Sequence, residues 1–281
     1  MPLLLDGALR SAELEARFDG ALLVSLRHRG DELLAGLPRR GHATRGVPLL
    51  HPWANRLAAP EYRAAGRAVV VPDGTPRDDR GLPIHGVVRD DWEVSADGAT
   101  HRATLREGAH PAFPFPHAVE VRTTLHGPAL TITTTMVATG EDAVPVAFGF
   151  HPYLRIPGLP RERWLVELPA MDHLALDRDQ IPAGAARRVP SRTGLLRAHA
   201  FDDGFAGVAP GATFAVQGGD RRIEVSFDAG FPCAQVFAPP EHDLVCFEPM
   251  VAPANALRSG DRLPLLAPGD TYTARFAVAV R

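Results

Sequence analysis

Apolar and polar positions alternate with a period of two along much of this chain. Tyr272, Ala274, Phe276, Val278 and Val280 interleave with Thr273, Arg275, Ala277 and Ala279, the pattern of a strand with one buried face. β-Rich runs of the same kind predict strands at residues 21–26, 67–71, 118–125, 130–137, 144–150, 223–227 and 244–248. Turn clusters bound them, including Pro72-Asp73-Gly74, His126-Gly127-Pro128 and Gly218-Gly219-Asp220. Helical signals are few. Ser11 predicts a short capped helix through Phe18, with Glu13 near its positive end and Leu14 where a full capping box needs Glu or Gln. The 26 Gly and 27 Pro are spread without a linker-like concentration, and no solenoid or propeller period is present. The pattern predicts one all-β domain over residues 1–281.

Composition narrows the function classes. A hydrophobic fraction of 45% with 22% charged residues is that of an ordinary globular protein. The formal charge is −3, and the basic residues are all arginines, scattered rather than striped with aromatics, which argues against a nucleic-acid partner. The apolar run Leu3 to Leu5 has no basic residue before it and is too short for a secretory signal. No stretch reaches the roughly 18 apolar residues of a membrane span, so a cytoplasmic protein without membrane attachment is expected. Cys233 and Cys246 are too far apart for a CxxC motif and supply no zinc framework, so two reduced thiols are expected.

Four polar clusters interrupt the apolar scaffold. In His51-Pro52-Trp53-Ala54-Asn55-Arg56, the Asn55 amide and the Arg56 guanidinium can bond ring hydroxyls while Trp53 offers a flat apolar face. In His85-Gly86, an imidazole that both donates and accepts precedes a glycine that permits close backbone approach to a ligand. Phe148-Gly149-Phe150-His151-Pro152-Tyr153 carries a histidine to a strand end, ahead of a proline that stops the ladder. Glu248 follows four apolar residues and precedes Pro249, which points its carboxylate into a dry cavity where desolvation makes it a better base. Taken singly, the first three clusters are better read as structural side chains, and Glu248 reads equally well as an isolated edge-strand residue.

Taken in order, these segments resemble the aldose 1-epimerase (galactose mutarotase) family, shorter bacterial branch. The likeness runs from Gly20-Ala21-Leu22-Leu23-Val24-Ser25-Leu26 through Pro52-Trp53-Ala54-Asn55-Arg56, His85-Gly86 and Gly149-Phe150-His151-Pro152-Tyr153 to the Glu248-Pro249-Met250 segment ending Asn255-Ala256. The resemblance implies a β-supersandwich, large antiparallel sheets around an open sugar cleft. It implies His151 as general acid, Glu248 as general base, and Asn55, Arg56 and His85 as substrate-orienting groups. Phe201-Asp202-Asp203-Gly204-Phe205 places Asp202 in the register of a further substrate contact, with Asp203 as the fallback. No metal or other cofactor is required; the expected partner is a free sugar, and the expected state is monomer or homodimer.

Departures from the family pattern are His51, where relatives often carry an aromatic, and Ala54, where Pro or Gly is common. Three other readings stand beside the mutarotase. A hexose-6-phosphate 1-epimerase would need arginines converging on a phosphate, with Arg89, Arg155 and Arg161 available. A non-catalytic sugar-binding module would keep the cleft without the chemistry. A glycosidase lacks a clear second carboxylate, although Asp202 is a candidate.

Overall fold

The computed structural model describes residues 8–38 and 44–281; the Leu3 to Leu5 run lies outside them. Among the described residues the fold is all-β apart from the 3-10 turn Arg161–Arg163 and the α-helix Ala256–Ser259. Two large antiparallel sheets form a β-supersandwich. The nine-stranded sheet runs, edge to edge, Arg192–Leu195, Leu165–Leu168, Ala212–Gly218, Arg221–Ala229, Thr271–Val280, Ala129–Ala138, His117–His126, Thr100–Leu105 and Glu93–Asp97. The eight-stranded sheet runs Arg187–Val189, Met171–His173, Phe201–Ala206, Cys233–Ala238, Val245–Met250, Gly149–Phe150 and Leu49–Leu50, with Tyr153–Leu154 also pairing on Val245–Met250.

Period two decides which side chains meet between the sheets. Leu130, Ile132, Met136, Phe276, Val278, Ile223 and Val225 of the nine-stranded sheet are buried against Phe150, Phe205, Val236 and Phe247 of the other. Phe150 meets Phe276 with ring centroids 4.9 Å apart and Phe214 meets Phe247 at 5.5 Å. Each such ring contributes about 1.5–3 kcal/mol by leaving water, and the resulting core is contiguous from Leu9 to Val280. Thr271–Val280 lies at the centre of its sheet, between Arg221–Ala229 and Ala129–Ala138.

Two local expectations are corrected. Ser11 does act as a cap in part, its Oγ accepting the Glu13 and Leu14 N–H groups. The chain then enters the strand Leu14–Asp19, because Leu14 and Ala16 are buried at period two against Leu22–His28. The predicted run at 144–150 splits into Val144–Pro145, paired with Leu265–Leu266, and Gly149–Phe150 in the eight-stranded sheet; Pro145 has no N–H to extend a ladder. Cys233 and Cys246 are free and buried. No helix among the described residues is long and apolar enough to cross a membrane.

Candidate active site

The eight-stranded sheet has a second face, and its parity determines the site. With Phe201, Asp203, Phe205, Val236 and Phe247 on one side, Asp202, Gln235 and Glu248 fall on the other. Asp202 pairs with Phe237 across the strands, and Gln235 pairs with Glu248. Two small apolar clusters flank this polar strip. One contains Leu50, Ala206, Cys233 and Met250, the other Tyr153, Leu244 and Cys246. Between them opens a cleft of about 420 Å³ lined by residues including Asn55, Arg56, His85, His151, Asp202 and Glu248, a volume suited to a small-molecule ligand.

His151 follows the strand Gly149–Phe150 and turns into this cleft, its N–H donating to the Pro48 carbonyl at 3.1 Å. Its ring stacks on Tyr153, with centroids 4.2 Å apart and planes 6° from parallel, and meets His85 edge-on at 5.5 Å. His151 Nε2 lies 3.2 Å from Glu248 Oε1. Both side chains are almost wholly buried, at 5% and 2% exposure. His151 Nδ1 and Glu248 Oε2 have no hydrogen-bond partner among the described residues, so each retains capacity for a ligand.

Burial dominates the electrostatics of this pair. It pushes the His151 imidazole down to about 3. It raises the Glu248 carboxyl well above its ordinary value, with Asp202 adding to the rise and Arg56 opposing it. Both shifts favour the uncharged forms, so the proton the pair shares is favoured on the carboxyl over the imidazole.

The loop carrying Asn55 and Arg56 forms one wall. Asn55 adopts φ +60°, and its Oδ1 accepts from the Arg56 N–H at 2.8 Å and from Arg56 Nη1 at 3.3 Å. Arg56 Nε donates to Asp78 Oδ2 at 2.8 Å, and its Nη2 lies 3.9 Å from Asp202 Oδ2. Asp202 also accepts from Gln235 Nε2 at 2.7 Å. Its carboxyl is raised by burial, an effect that Arg56 and Gln235 partly offset. His85 Nδ1 accepts from the Asn55 N–H at 3.3 Å. Asn255 braces the wall from the far end of the chain, its N–H donating to the Arg56 carbonyl and its Oδ1 accepting the Ala58 N–H.

The cleft therefore brings together Asn55, Arg56, His85, His151, Asp202 and Glu248. Asp203 lies on the opposite face of its strand, where it meets His173 Nε2 at 2.9 Å. Several other expectations are corrected. Trp53 is 1% exposed within the core, because a parallel bridge to Ala147 turns its indole inward; the aromatic surfaces in the cleft are Tyr153 and Phe237. Gly86, at φ +71°, answers to the backbone rather than to a ligand: a Cβ there would overlap the His51 carbonyl. His51 turns away from the cleft and bonds His117.

The three arginines considered for a phosphate do not converge. Arg89 pairs with Asp91 and Arg155 donates to the Glu32 carbonyl. Arg161 is 1% exposed and holds the carbonyls of Pro239 and His199. Sequence reasoning missed Asp78 and Gln235, which orient Arg56 and Asp202. For Gln235 the only available signal was its register opposite Glu248. Among the described residues no group of three or more His, Cys, Asp or Glu has metal-site geometry.

An antiparallel sandwich with a polar strip lining a cleft on one sheet is the architecture of the galactose mutarotase-like class. Solved structures share the architecture. A galactose mutarotase related enzyme from Lactobacillus acidophilus superposes with a TM-score of 0.83 at 18% identity, covering 99% of this chain and 97% of that one. A GalM/aldose epimerase homologue from C. elegans gives 0.78 at 16% identity, covering 98% of each. In sequence, the uncharacterized protein YihR of Escherichia coli K12 is 26% identical over 277 residues, 92% of this chain and 87% of that protein. The aldose 1-epimerase family profile matches residues 13–279, and the chain belongs to that family.

Proposed function

We propose that this protein interconverts the α and β anomers of a free aldose by acid/base ring opening and reclosure. The observation that carries the reading is the 3.2 Å contact between His151 and Glu248 in a saccharide-sized cleft. The two oxygens that must change protonation, the C1 hydroxyl and the ring oxygen, are both bonded to C1. An acid and a base serving them must therefore be neighbours.

Glu248 takes the C1 hydroxyl proton and His151 delivers its proton to the ring oxygen. The bond from C1 to the ring oxygen breaks, leaving an open-chain aldehyde. After rotation about C1–C2, the ring hydroxyl attacks the other face, returns its proton to His151, and Glu248 protonates the new anomeric oxygen. The resting pair needs no proton from solvent to begin. Moving its one proton from the Glu248 carboxyl to His151 creates the reactive pair, and Arg56 together with sugar hydroxyls donating to the unpartnered Oε2 favours that transfer. Asn55, Arg56, His85 and Asp202 orient the remaining hydroxyls, while Tyr153 and Phe237 receive the C–H faces.

Acid/base assistance contributes about 10²- to 10⁴-fold per group. Polarimetry of freshly dissolved α-glucose and α-galactose tests the assignment. Glu248→Gln and His151→Asn are expected to fold yet lose at least about a hundredfold in kcat/KM; a rate near that of the parent in either variant removes that residue from the mechanism.

A further inference from the structure

A second cavity of about 360 Å³ lies beside the catalytic cleft, lined by residues that include Asp19, His51, Val88, Asp90 and Trp92. Val88 lines both cavities and is 55% exposed, a low apolar ridge between them. The segment that supplies His85 to the cleft continues two residues past Val88 into the wall of the second cavity.

The lining has the chemistry of a neutral saccharide site. Trp92 is half-buried, while the other two tryptophans, Trp53 and Trp164, are 1% and 0% exposed. Its indole packs over Gly20, where an added Cβ would lie 3.6 Å from Cδ1, and the remaining surface offers an apolar face for sugar C–H groups. Asp19 and Asp90 are exposed at the rim and have no ion pair among the described residues, so both can accept hydroxyl protons. Arg89 is held by Asp91 and the Glu107 carbonyl, which leaves acceptors in excess and disfavours an anionic ligand.

His51 lies buried in the wall of this cavity. His117 Nδ1 donates to the Phe115 carbonyl at 2.6 Å, so its Nε2 must accept from His51 Nε2–H at 2.8 Å. The His51 Nδ1 is thereby left as a lone pair, without a hydrogen-bond partner among the described residues.

Resting on the mutarotase reading, we propose that this cavity is a second saccharide subsite and that the natural substrate is an oligosaccharide. Its reducing residue occupies the cleft and the next residue crosses Val88 to stack on Trp92. A monosaccharide fills the cleft alone and makes none of the second set of contacts.

The test compares lactose and maltose with galactose and glucose in the parent protein, Trp92→Ala, and the Asp19→Asn, Asp90→Asn double variant, by polarimetry and by acrylamide quenching of tryptophan fluorescence. Loss of one aromatic contact is expected to lower disaccharide kcat/KM by about tenfold, with monosaccharide values unchanged. Lactose or maltose should also shield Trp92 from acrylamide at concentrations where glucose and galactose do not. Because Trp92 also packs on the core, a Trp92→Ala protein slowed on every sugar is decided by the double variant, which must lose disaccharide activity alone. The subsite is overturned if disaccharides leave Trp92 equally open to acrylamide, or if the double variant treats both sugar sizes as the parent does. Shielding of Trp92 by a disaccharide, with no sugar of either size mutarotated by the parent protein, would uphold the subsite and sink the mutarotase reading instead.

Discussion

Replacing Glu248 with Gln should stabilise the fold while it removes the chemistry. The carboxyl is 2% exposed and one of its oxygens has no partner among the described residues. Burial raises its proton affinity well above the ordinary 4.5, whereas the unfolded chain ionises it near about 4.3. Above pH 4.5 the folded state therefore holds a proton that the unfolded state has released, and stability falls as pH rises. Each unit of such displacement costs about 1.4 kcal/mol once the pH passes the folded value. Gln keeps the shape, has no proton to titrate, and its amide N–H replaces the carboxyl O–H as donor to His151 Nε2. Recovering even one unit raises the melting temperature by about 3–5 °C in a chain of this size. Circular dichroism melts of parent and variant at pH 5 and pH 8 should show a gap that widens with pH. A variant that melts below the parent at pH 8 would refute the reasoning. It would mean that the resting pair is a carboxylate and an imidazolium, whose separation destabilises by about 3–5 kcal/mol.

Gly86→Ala should destabilise by about 3 kcal/mol or more, since it combines a φ of +71° with overlap at the His51 carbonyl; an unchanged urea midpoint would contradict this. Asp202→Asn should raise KM for the sugar severalfold, while Asp203→Asn, on the opposite face with His173, should leave the kinetics as they are. Equal effects in the two variants would show that parity does not select the contact. His51, His101, His117 and His151 are all buried and held below 6.5, at about 4 for His101 and His117 and about 3 for His151. The unfolded chain takes up protons near 6.5 that the folded chain refuses, so stability present above pH 6.5 is lost as pH falls toward 4. The urea midpoint should drop between pH 7 and 4.5, and a constant midpoint would count against that account.

Strands whose apolar faces meet the core could be read directly from alternation, as at Thr271–Val280 and Ala129–Ala138. Glu93–Asp97 could not, because all five residues are exposed and nothing apolar marks its faces. The four polar clusters were visible because each sets a group that is costly to bury within the apolar scaffold. Their supporting residues were not. Gln235 acquires its role from cross-strand register with Glu248, and Asp78 from a loop that returns to Arg56. Trp53 misled because the direction of its ring depends on a bridge to Ala147, nearly a hundred positions away. Local spacing carries no information about such partners.

The strand Thr271–Val280 joins two blocks of its sheet that are otherwise unconnected. A ribosome delivers both blocks long before it delivers the strand that unites them, so each waits with a raw hydrogen-bonding edge and an uncovered greasy surface. Chaperone demand should peak in that interval. Shortening the protein by this one segment would then be far more damaging than its ten residues suggest, because it removes the keystone and returns the sheet to two sticky halves.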